Sequence, residues 1–158
     1  IASDASAPGL LNISNDRFPD RVYEVIAKQK NDQTVRRYKL AKLDLDLLKE
    51  SSPKSASLIK LDLFDGKTIL IHKQKIESRG VDNYTWHGDV QNQNKSTVVF
   101  TVVDGYLDGH IYVVGDAQNK DANYAIQYAG DGFYLLKDND FMVRFNRLVC
   151  LLLGIWAH

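Results

Sequence analysis

The chain has 158 residues, 44% of them hydrophobic, and its 20 basic and 20 acidic side chains give a formal net charge of zero. This length can bury the core of one domain without disulfides or metals, and the single cysteine excludes an intrachain disulfide. Because the charge is balanced, the chain lacks the basic excess that is typical of nucleic-acid-binding proteins, and no nucleic-acid partner is expected.

Residues 1–19 are predicted to form a flexible leader. The first fifteen residues start without methionine and are rich in Ala, Ser, Asp and Gly. This composition is typical of a mature N-terminus from which a signal peptide has been removed, and it predicts a secreted or periplasmic protein. An artificial chain boundary would look the same, so both interpretations stay open.

Two strands are predicted at the start of a β-domain that covers residues 20–140. Residues 21–28 place β-branched and aromatic side chains among charged ones, and Pro19 precedes them. Residues 34–41 alternate in the same way. The connection between the two runs is short enough for a hairpin, so they are predicted to pair antiparallel.

The segment at residues 43–50 has two interpretations. Leu43, Leu47 and Leu48 have the spacing of one or two helical turns, and Pro53 follows soon after. Leucines that alternate with aspartates would equally suit a strand. A short helix is the prediction, with the strand as its alternative.

The clearest hairpin is predicted at residues 58–74. Its halves, 58–64 and 68–74, alternate apolar and polar side chains, and Asp65-Gly66 between them is a favourable turn. Residues 75–79 extend the second strand.

The remaining strands follow at short, regular spacing. Residues 84–90 form one strand, and the almost continuous β-branched run at 97–103 is typical of a central strand covered on both faces. The Asp-Gly pairs at 104–105 and 108–109 are predicted turns. Further strands are predicted at 110–114, 124–128 and 133–136. The predicted fold is mainly β, an antiparallel meander that forms a sandwich or open barrel with one or two short helices.

The order of several segments carries a family resemblance. They are Leu-Asp-Leu-Phe-Asp-Gly at 61–66, Tyr-Thr-Trp-His-Gly-Asp-Val at 84–90, Thr-Val-Val-Phe-Thr-Val-Val-Asp-Gly at 97–105, Asp-Gly-His-Ile at 108–111, Tyr-Ala-Ile at 124–126 and Gly-Phe-Tyr-Leu-Leu at 132–136. In this order they resemble the N-terminal propeptide domains of secreted bacterial zinc metallopeptidases, in particular the reprolysin-like and peptidyl-Asp metalloendopeptidase precursors. The resemblance rests on the order of strand and turn signals, including a strand that bears Trp-x-Gly, and it is most specific at residues 84–136.

The resemblance implies a domain that is not itself a peptidase. In the family's precursors the catalytic domain carries a His-Glu-x-x-His helix that binds zinc, and the sequence has no such motif. Its four histidines, His72, His87, His110 and His158, stand singly and not at metal-ligand spacing. No enzymatic activity, no cofactor and no metal site are therefore expected.

Four side chains are the candidate binding residues: Trp86, His87, Tyr106 and His110. Trp86 and Tyr106 belong to a set of strand aromatics that would suit a binding face for sugar or peptide, although alternating aromatics more often form core and cross-strand pairs. The set also contains Tyr84, Tyr112, Tyr124, Tyr128 and Tyr134. His87 and Asp89 share one face of their strand, but such a dyad needs a third group to be catalytic.

Residues 141–158 form an apolar C-terminal segment. Its apolar run at 148–157 is shorter than the about 20 residues that cross a bilayer, so no transmembrane segment is expected. The run is predicted to pack into the core or, if exposed, to form a docking or oligomerisation surface.

Cys150 within this segment has two interpretations. In some zinc peptidase precursors a prodomain cysteine binds the catalytic zinc and keeps the enzyme latent, which makes Cys150 a candidate switch. Its neighbours Val149 and Leu151 instead favour a small buried hydrophobic residue.

Two functions follow from these observations. The preferred hypothesis is a non-catalytic, propeptide-like domain that binds a secreted zinc metallopeptidase and inhibits it or assists its folding. The alternative is a stand-alone secreted binding module or effector that uses the same β-scaffold for another ligand.

Overall fold

The computed structural model describes residues 6–12, 17–93, 95–115, 117–118 and 120–140. In chain order its elements are β1 (Leu11–Asn12), α1 (Asp20–Lys30), β2 (Val35–Leu43), a 3-10 helix (Leu45–Leu47), β3 (Leu58–Asp62), β4 (Thr68–Gly80), β5 (Asn83–Val90), β6 (Ser96–Val103), β7 (Tyr106–Val113), β8 (Ala122–Gly130) and β9 (Phe133–Asn139). The predicted mainly β fold is confirmed.

The strands form one antiparallel sheet that curls into a nearly closed barrel. β3 to β9 follow one another as a meander and β2 pairs with β9, so the order is β1-β2-β9-β8-β7-β6-β5-β4-β3. The ends of this order meet where Gly9 forms a parallel bridge with Lys60 of β3. There the Leu10 N–H donates to the Lys60 carbonyl, and the Lys60 N–H donates to the Pro8 carbonyl, both at 2.9 Å. The chain therefore forms the predicted antiparallel meander, and of the two predicted architectures, sandwich and open barrel, it adopts a barrel.

The segment around β1 belongs to this barrel, although the sequence places it in the flexible leader 1–19. Leu10 is fully buried in the barrel core, and its carbonyl accepts a hydrogen bond from the Asp44 N–H at 3.0 Å. Burying a leucine side chain contributes about 1.5–3 kcal/mol, which favours ordering these residues. The β-domain therefore includes residues 8–12.

The barrel interior is a packed core. The rings of Trp86 on β5 and Phe100 on β6 stack at its centre with 5.4 Å between centroids. Fully buried aliphatic side chains surround them: Ile59, Leu61, Ile71, Val98, Val102, Ile111 and Ile126. Side chains thus fill this small barrel, as expected when the strand number is low.

α1 packs on the outside of the barrel and shows that the strand predicted at residues 21–28 was wrong. Phe18, Val22, Val25 and Ile26 have the i, i+4, i+7, i+8 spacing of one helix face. Val22 is fully buried against outward-facing side chains of β8 and β9, and the other three pack around this second cluster. Because the segment is a helix, the predicted hairpin is replaced by pairing of β2 with β9.

The β3–β4 hairpin is confirmed. Leu58 pairs with His72 and Asp62 pairs with Thr68, and Asp65 and Gly66 have positive φ angles of 56° and 69° in the turn between them. β4 continues to Gly80, so the predicted extension at 75–79 is also confirmed.

Two details of the predicted β6–β7 region are corrected. β6 is covered on one face only: Val98, Phe100 and Val102 are buried, whereas the opposite side chains are half-buried or exposed. α1 covers β8 and β9 instead, so β-branched residues on the outer face of β6 remain at the surface. Asp108-Gly109 lies inside β7 rather than in a turn. The glycine makes room for the Phe100 ring, since a Cβ at this position would stand 2.8 Å from it.

The 3-10 helix realises the short helix predicted at residues 43–50. Leu47 and Leu48 are buried in the barrel core beside the end of β2. We call the barrel end that these two leucines fill the plugged end, and the β4–β5 and β6–β7 turns lie there. We call the opposite end the mouth. No helix in the described ranges has the length and apolarity needed to cross a bilayer.

Candidate functional site

The predicted binding residues do not come together in one place. Trp86 has no exposed surface and stacks on Phe100 inside the barrel. The alternative interpretation of the strand aromatics as core therefore applies to it, and also to Tyr84, Tyr124 and Tyr134, which are buried as well.

His87 and His110 lie on the outer face of the barrel in one cross-strand row, on either side of Val99. The His87 Nε2 is 3.7 Å from Glu77 Oε1, and the His110 Nε2 is 4.0 Å from Asp108 Oδ1. Each imidazole thus has its own carboxylate neighbour. Within the described ranges no group of three or more His, Cys, Asp or Glu side chains could hold a metal ion.

His87 and Asp89 share the outer face of β5, but their side chains do not form an ion pair. Asp89 stands opposite His72 on β4, whereas His87 stands opposite Lys75. The carboxylate nearest His87 is that of Glu77.

Tyr106 is the exposed end of a row of three tyrosine rings at the plugged end. Tyr106 is 54% exposed, and the centroid of its ring lies 4.6 Å from that of the Tyr128 ring. The Tyr128 ring lies 5.2 Å from that of buried Tyr134, whose hydroxyl accepts a hydrogen bond from the Leu107 N–H at 3.3 Å. Tyr106 thus packs on half-buried Tyr128, which in turn packs on buried Tyr134.

Three exposed apolar side chains at the plugged end form a surface that we call the end patch: Val81, Val103 and Tyr106. They are 71%, 52% and 54% exposed. Val81 lies in the β4–β5 turn, and Val103 and Tyr106 flank the β6–β7 turn. The two turns are joined by a hydrogen bond from the Gly105 N–H to the Asp82 carbonyl at 3.1 Å. In the described part of the chain, Tyr23 on α1 is the other large apolar side chain with such exposure.

The second half of β4 has an unpaired edge. β3 pairs with β4 only from Thr68 to His72, and one further bond joins the Lys73 N–H to the Ser57 carbonyl. Beyond that point, residues 74–80 pair with β5 alone among the described residues. Three of the exposed β4 side chains there are charged, namely Lys75, Glu77 and Arg79, and charged side chains are one means by which natural proteins limit uncontrolled edge pairing.

A cleft of about 480 Å³ lies between this edge and the turn that follows the 3-10 helix. Its walls are Lys49, Glu50, Ser51, Ile76, Ser78, Gly80, Val81 and Tyr84. Lys49 Nζ donates to Asp82 Oδ1 at 2.9 Å and ties the two sides together. The cleft therefore lies directly beside a strand edge, with one exposed ion pair across it.

Tyr84, which lines this cleft, carries a buried polar atom without a hydrogen-bond partner. The residue is only 3% exposed, and its hydroxyl has no hydrogen-bond partner among the described residues. Burial, together with the negative charges of Asp82 and Asp46, raises the pKa of Tyr84 to about 12. A buried hydroxyl without a partner is uncommon in native proteins and calls for an explanation.

The Tyr84 hydroxyl predicts a particular pH dependence of stability. Below pH 10 the group is neutral in both states; between about pH 10 and 12 the unfolded tyrosine ionises while the folded one stays neutral, so the free energy of unfolding falls as the pH rises. We expect Tyr84→Phe to change stability at pH 7 by less than about 1 kcal/mol, because no hydrogen bond is lost, and to make the alkaline decline shallower.

Urea titrations at pH 7 to 12 measure this effect. Tyr134→Phe is the matched control, because its buried hydroxyl does accept a hydrogen bond and should cost about 0.5–1.5 kcal/mol at pH 7. An equal loss at pH 7 in both variants would show that the Tyr84 hydroxyl is satisfied.

The mouth holds a smaller cleft of about 260 Å³, and two basic side chains beside it, Arg37 and Lys39, are engaged in other contacts. It is lined by Leu63, Lys67, Thr68, Ile69, Leu70, Val90, Gln91, Asn92, Gln93, Val113 and Tyr124. Beside it, Arg37 Nε donates to buried Asp138 Oδ2 at 2.8 Å and the Arg37 guanidinium also pairs with Asp65. Lys39 Nζ donates to the Leu63 carbonyl at 2.6 Å. These groups join β2 to the β3–β4 turn and so hold the barrel seam.

The residues of the plugged end were largely missed by sequence reasoning. The extension of β4 past the length of β3 was visible in the sequence, and it is the signal for an unpaired edge. Tyr106 was the one predicted binding residue that the structure places in the end patch. Cys150 and the segment 141–158 lie outside the described residues, so the cysteine switch and the oligomerisation surface stay predictions.

No protein-family model, curated protein or solved structure matches this chain.

Proposed function

We propose that the chain is a non-catalytic domain that binds another protein through its plugged end. The observation that carries the proposal is the coincidence of two features: the end patch of Val81, Val103 and Tyr106 lies next to the unpaired edge of β4. Exposed apolar side chains grouped at one site are typical of protein interfaces, and tyrosine is enriched among the residues that dominate binding energy.

The proposed partner is a secreted zinc metallopeptidase, which the domain inhibits or helps to fold. The domain itself is proposed to be secreted or periplasmic. The support for this partner is the propeptide-like order of segments, in particular residues 84–136. A propeptide needs a binding surface and no catalytic group of its own, which agrees with a surface made of apolar side chains and a strand edge.

The test is titration of the purified domain into a reprolysin-like and a peptidyl-Asp zinc metallopeptidase while peptide hydrolysis is followed. We expect saturable inhibition, and we expect the triple variant Val81→Ser, Val103→Ser, Tyr106→Ser to weaken it at least about tenfold. The variant removes a tyrosine, a residue type enriched among those that dominate binding energy, together with the apolar surface of two valines. Isothermal titration calorimetry measures the same affinity without a substrate.

Tyr23→Ser is the control, since it removes an equally exposed apolar side chain that is carried by α1 and does not belong to the end patch. It should leave the inhibition constant unchanged. Saturable inhibition that survives the triple variant would contradict the end patch. Absence of binding to both peptidase classes would contradict the proposed partner and favour the stand-alone binding module.

A further inference from the structure

We propose that residues 74–80 of β4 bind an extended peptide segment of the partner as an added strand, with alternate peptide side chains entering the cleft beside Tyr84. The inference rests on the proposed function, because it specifies how a protein bound at the plugged end is held. It assigns a chemistry to the partner segment: apolar residues that alternate with acidic ones.

The backbone of β4 supplies the first argument. In an antiparallel ladder, the N–H and C=O groups of one residue point to one side of the strand, and those of the next residue point to the other side. β5 occupies one side of residues 75–78, where the pairing is regular, and no described residue pairs with the other side. Register shifts at Lys73/Lys75 and Ser78/Gly80 bound this regular run. A guest strand of about four residues fits between the two irregularities.

Side-chain direction supplies the second argument. Ile76 stands opposite Trp86 and Ser78 stands opposite Tyr84, so both point to the barrel side of β4, where they line the cleft. A guest strand would direct every second side chain to the same side. Since Ile76 and Val81 provide apolar wall there, apolar guest side chains fit the cleft.

The unpaired hydroxyl supplies the third argument. Tyr84 is 3% exposed, lines the cleft, and has no partner for its hydroxyl among the described residues. A peptide in the cleft brings carbonyl oxygens, and the hydroxyl, which is itself buried, would donate to one of them once the side chains around it move apart. Peptide binding would then satisfy the hydroxyl that is unsatisfied in the free domain.

Charge supplies the fourth argument. On the outer face of the edge, Lys75 Nζ pairs with Glu77 Oε1 at 2.5 Å, while the Arg79 guanidinium donates to the Thr85 hydroxyl at 3.1 Å. Among the described residues Arg79 has no carboxylate partner within salt-bridge distance. The three charged side chains of the edge thus leave one positive charge uncompensated, which favours an acidic residue on the outer face of the guest strand.

The experiment uses the whole chain and an end-blocked peptide of about six residues that alternates valine and glutamate. We expect saturable binding in which the NMR amide signals of residues 74–80 shift and their hydrogen exchange slows. Two further peptides carry N-methyl groups on either all the valines or all the glutamates. Because an added strand uses only alternate N–H groups, one series should lose at least tenfold in affinity and the other should keep its affinity within about threefold.

Protein variants locate the site. Arg79→Glu should weaken the peptide at least tenfold, whereas Lys67→Glu makes the same charge change at the mouth and should alter affinity less than about twofold. Tyr84→Phe should keep the fold and weaken the peptide about three- to tenfold, through loss of the hydroxyl donor.

The remaining outcomes either overturn the inference or separate it from the proposed function. No saturable peptide binding, or equal effects of both N-methyl series, rules out strand addition. Protection of residues 74–80 that rises with protein concentration without peptide would assign the edge to a second copy of the chain. If the end-patch variants lose peptidase inhibition while the peptide does not bind, the proposed function stands and strand addition fails. If the peptide binds and no peptidase does, strand addition stands and the partner class fails.

Discussion

Trp86→Ala is expected to lower the free energy of unfolding by about 3–5 kcal/mol, the usual cost of truncating a large buried aromatic side chain. Trp86 has no exposed surface, and its ring stacks on Phe100 with 5.4 Å between centroids. Its strand neighbours are Ile76 and Phe100, so alanine would leave a cavity that neither flanking strand can fill without moving. Urea denaturation followed by far-ultraviolet circular dichroism measures the change.

Trp86→Phe is the matched variant. It keeps an aromatic ring against Phe100 and removes an indole N–H that is buried without a hydrogen-bond partner among the described residues. We therefore expect it to cost less than half as much as Trp86→Ala. A loss below about 1 kcal/mol for the alanine variant would mean that Trp86 is accessible, as its sequence-based assignment to a binding face requires.

The hairpins were predictable because their signals are local. In β3 and β4, apolar side chains alternate with polar ones, and Asp65-Gly66 supplies the positive φ angles that a tight turn needs. The same combination recurs at Asp104-Gly105, and at Asp131-Gly132 between β8 and β9. Each signal spans a few residues, so the sequence is sufficient to find it.

α1 was not predicted because two local signals conflict there. β-branched Val22, Val25 and Ile26 favour a strand, whereas their helical spacing, with Asp20 in the first turn and Lys28 in the last, favours a helix and its dipole. The helix forms because the outer face of β8 and β9 offers an apolar surface on which one helix face can pack. That surface forms only when distant parts of the chain have folded.

The candidate site was harder to predict than the fold. Period-two alternation divides Trp86 from His87 but does not say which face is the interior of a barrel. The extension of β4, thirteen residues long, beyond the five residues of β3 was visible in the sequence. Whether another segment pairs with the extra edge depends on how distant parts of the chain fold, which no single stretch of sequence displays. The end patch depends further on contacts between two turns, which bring Val81 near Val103.

Gly88→Ala is expected to destabilise the domain by about 1–3 kcal/mol, the usual cost of overfilling a packed site. A Cβ at Gly88 would stand 2.5 Å from the carbonyl oxygen of His72 and 2.5 Å from Cζ3 of the Trp86 ring. Neither neighbour can yield easily, since one is the backbone of β4 and the other is a ring held by Phe100. Thermal unfolding and urea titration measure the loss.

Gly66→Ala is the comparison for a glycine of another kind. It lies in the β3–β4 turn at a φ of 69° with no atom within 4 Å of the added Cβ, so its cost comes from backbone conformation alone, about 1 kcal/mol. A Gly88→Ala variant that unfolds at the same urea concentration as the natural chain would contradict the close approach.

The Trp86→Phe background separates the two contacts of Gly88. Phenylalanine lacks the outer ring atoms that a Cβ at position 88 would meet, whereas the His72 carbonyl stays in place. If the ring contact dominates, the cost of Gly88→Ala should fall by at least about 0.5 kcal/mol in that background. Such coupling would show that Trp-x-Gly, the pattern on which the family resemblance partly depends, is a packing unit in which glycine leaves the space that the tryptophan ring fills. An unchanged cost would assign the glycine to the backbone contact with β4 instead.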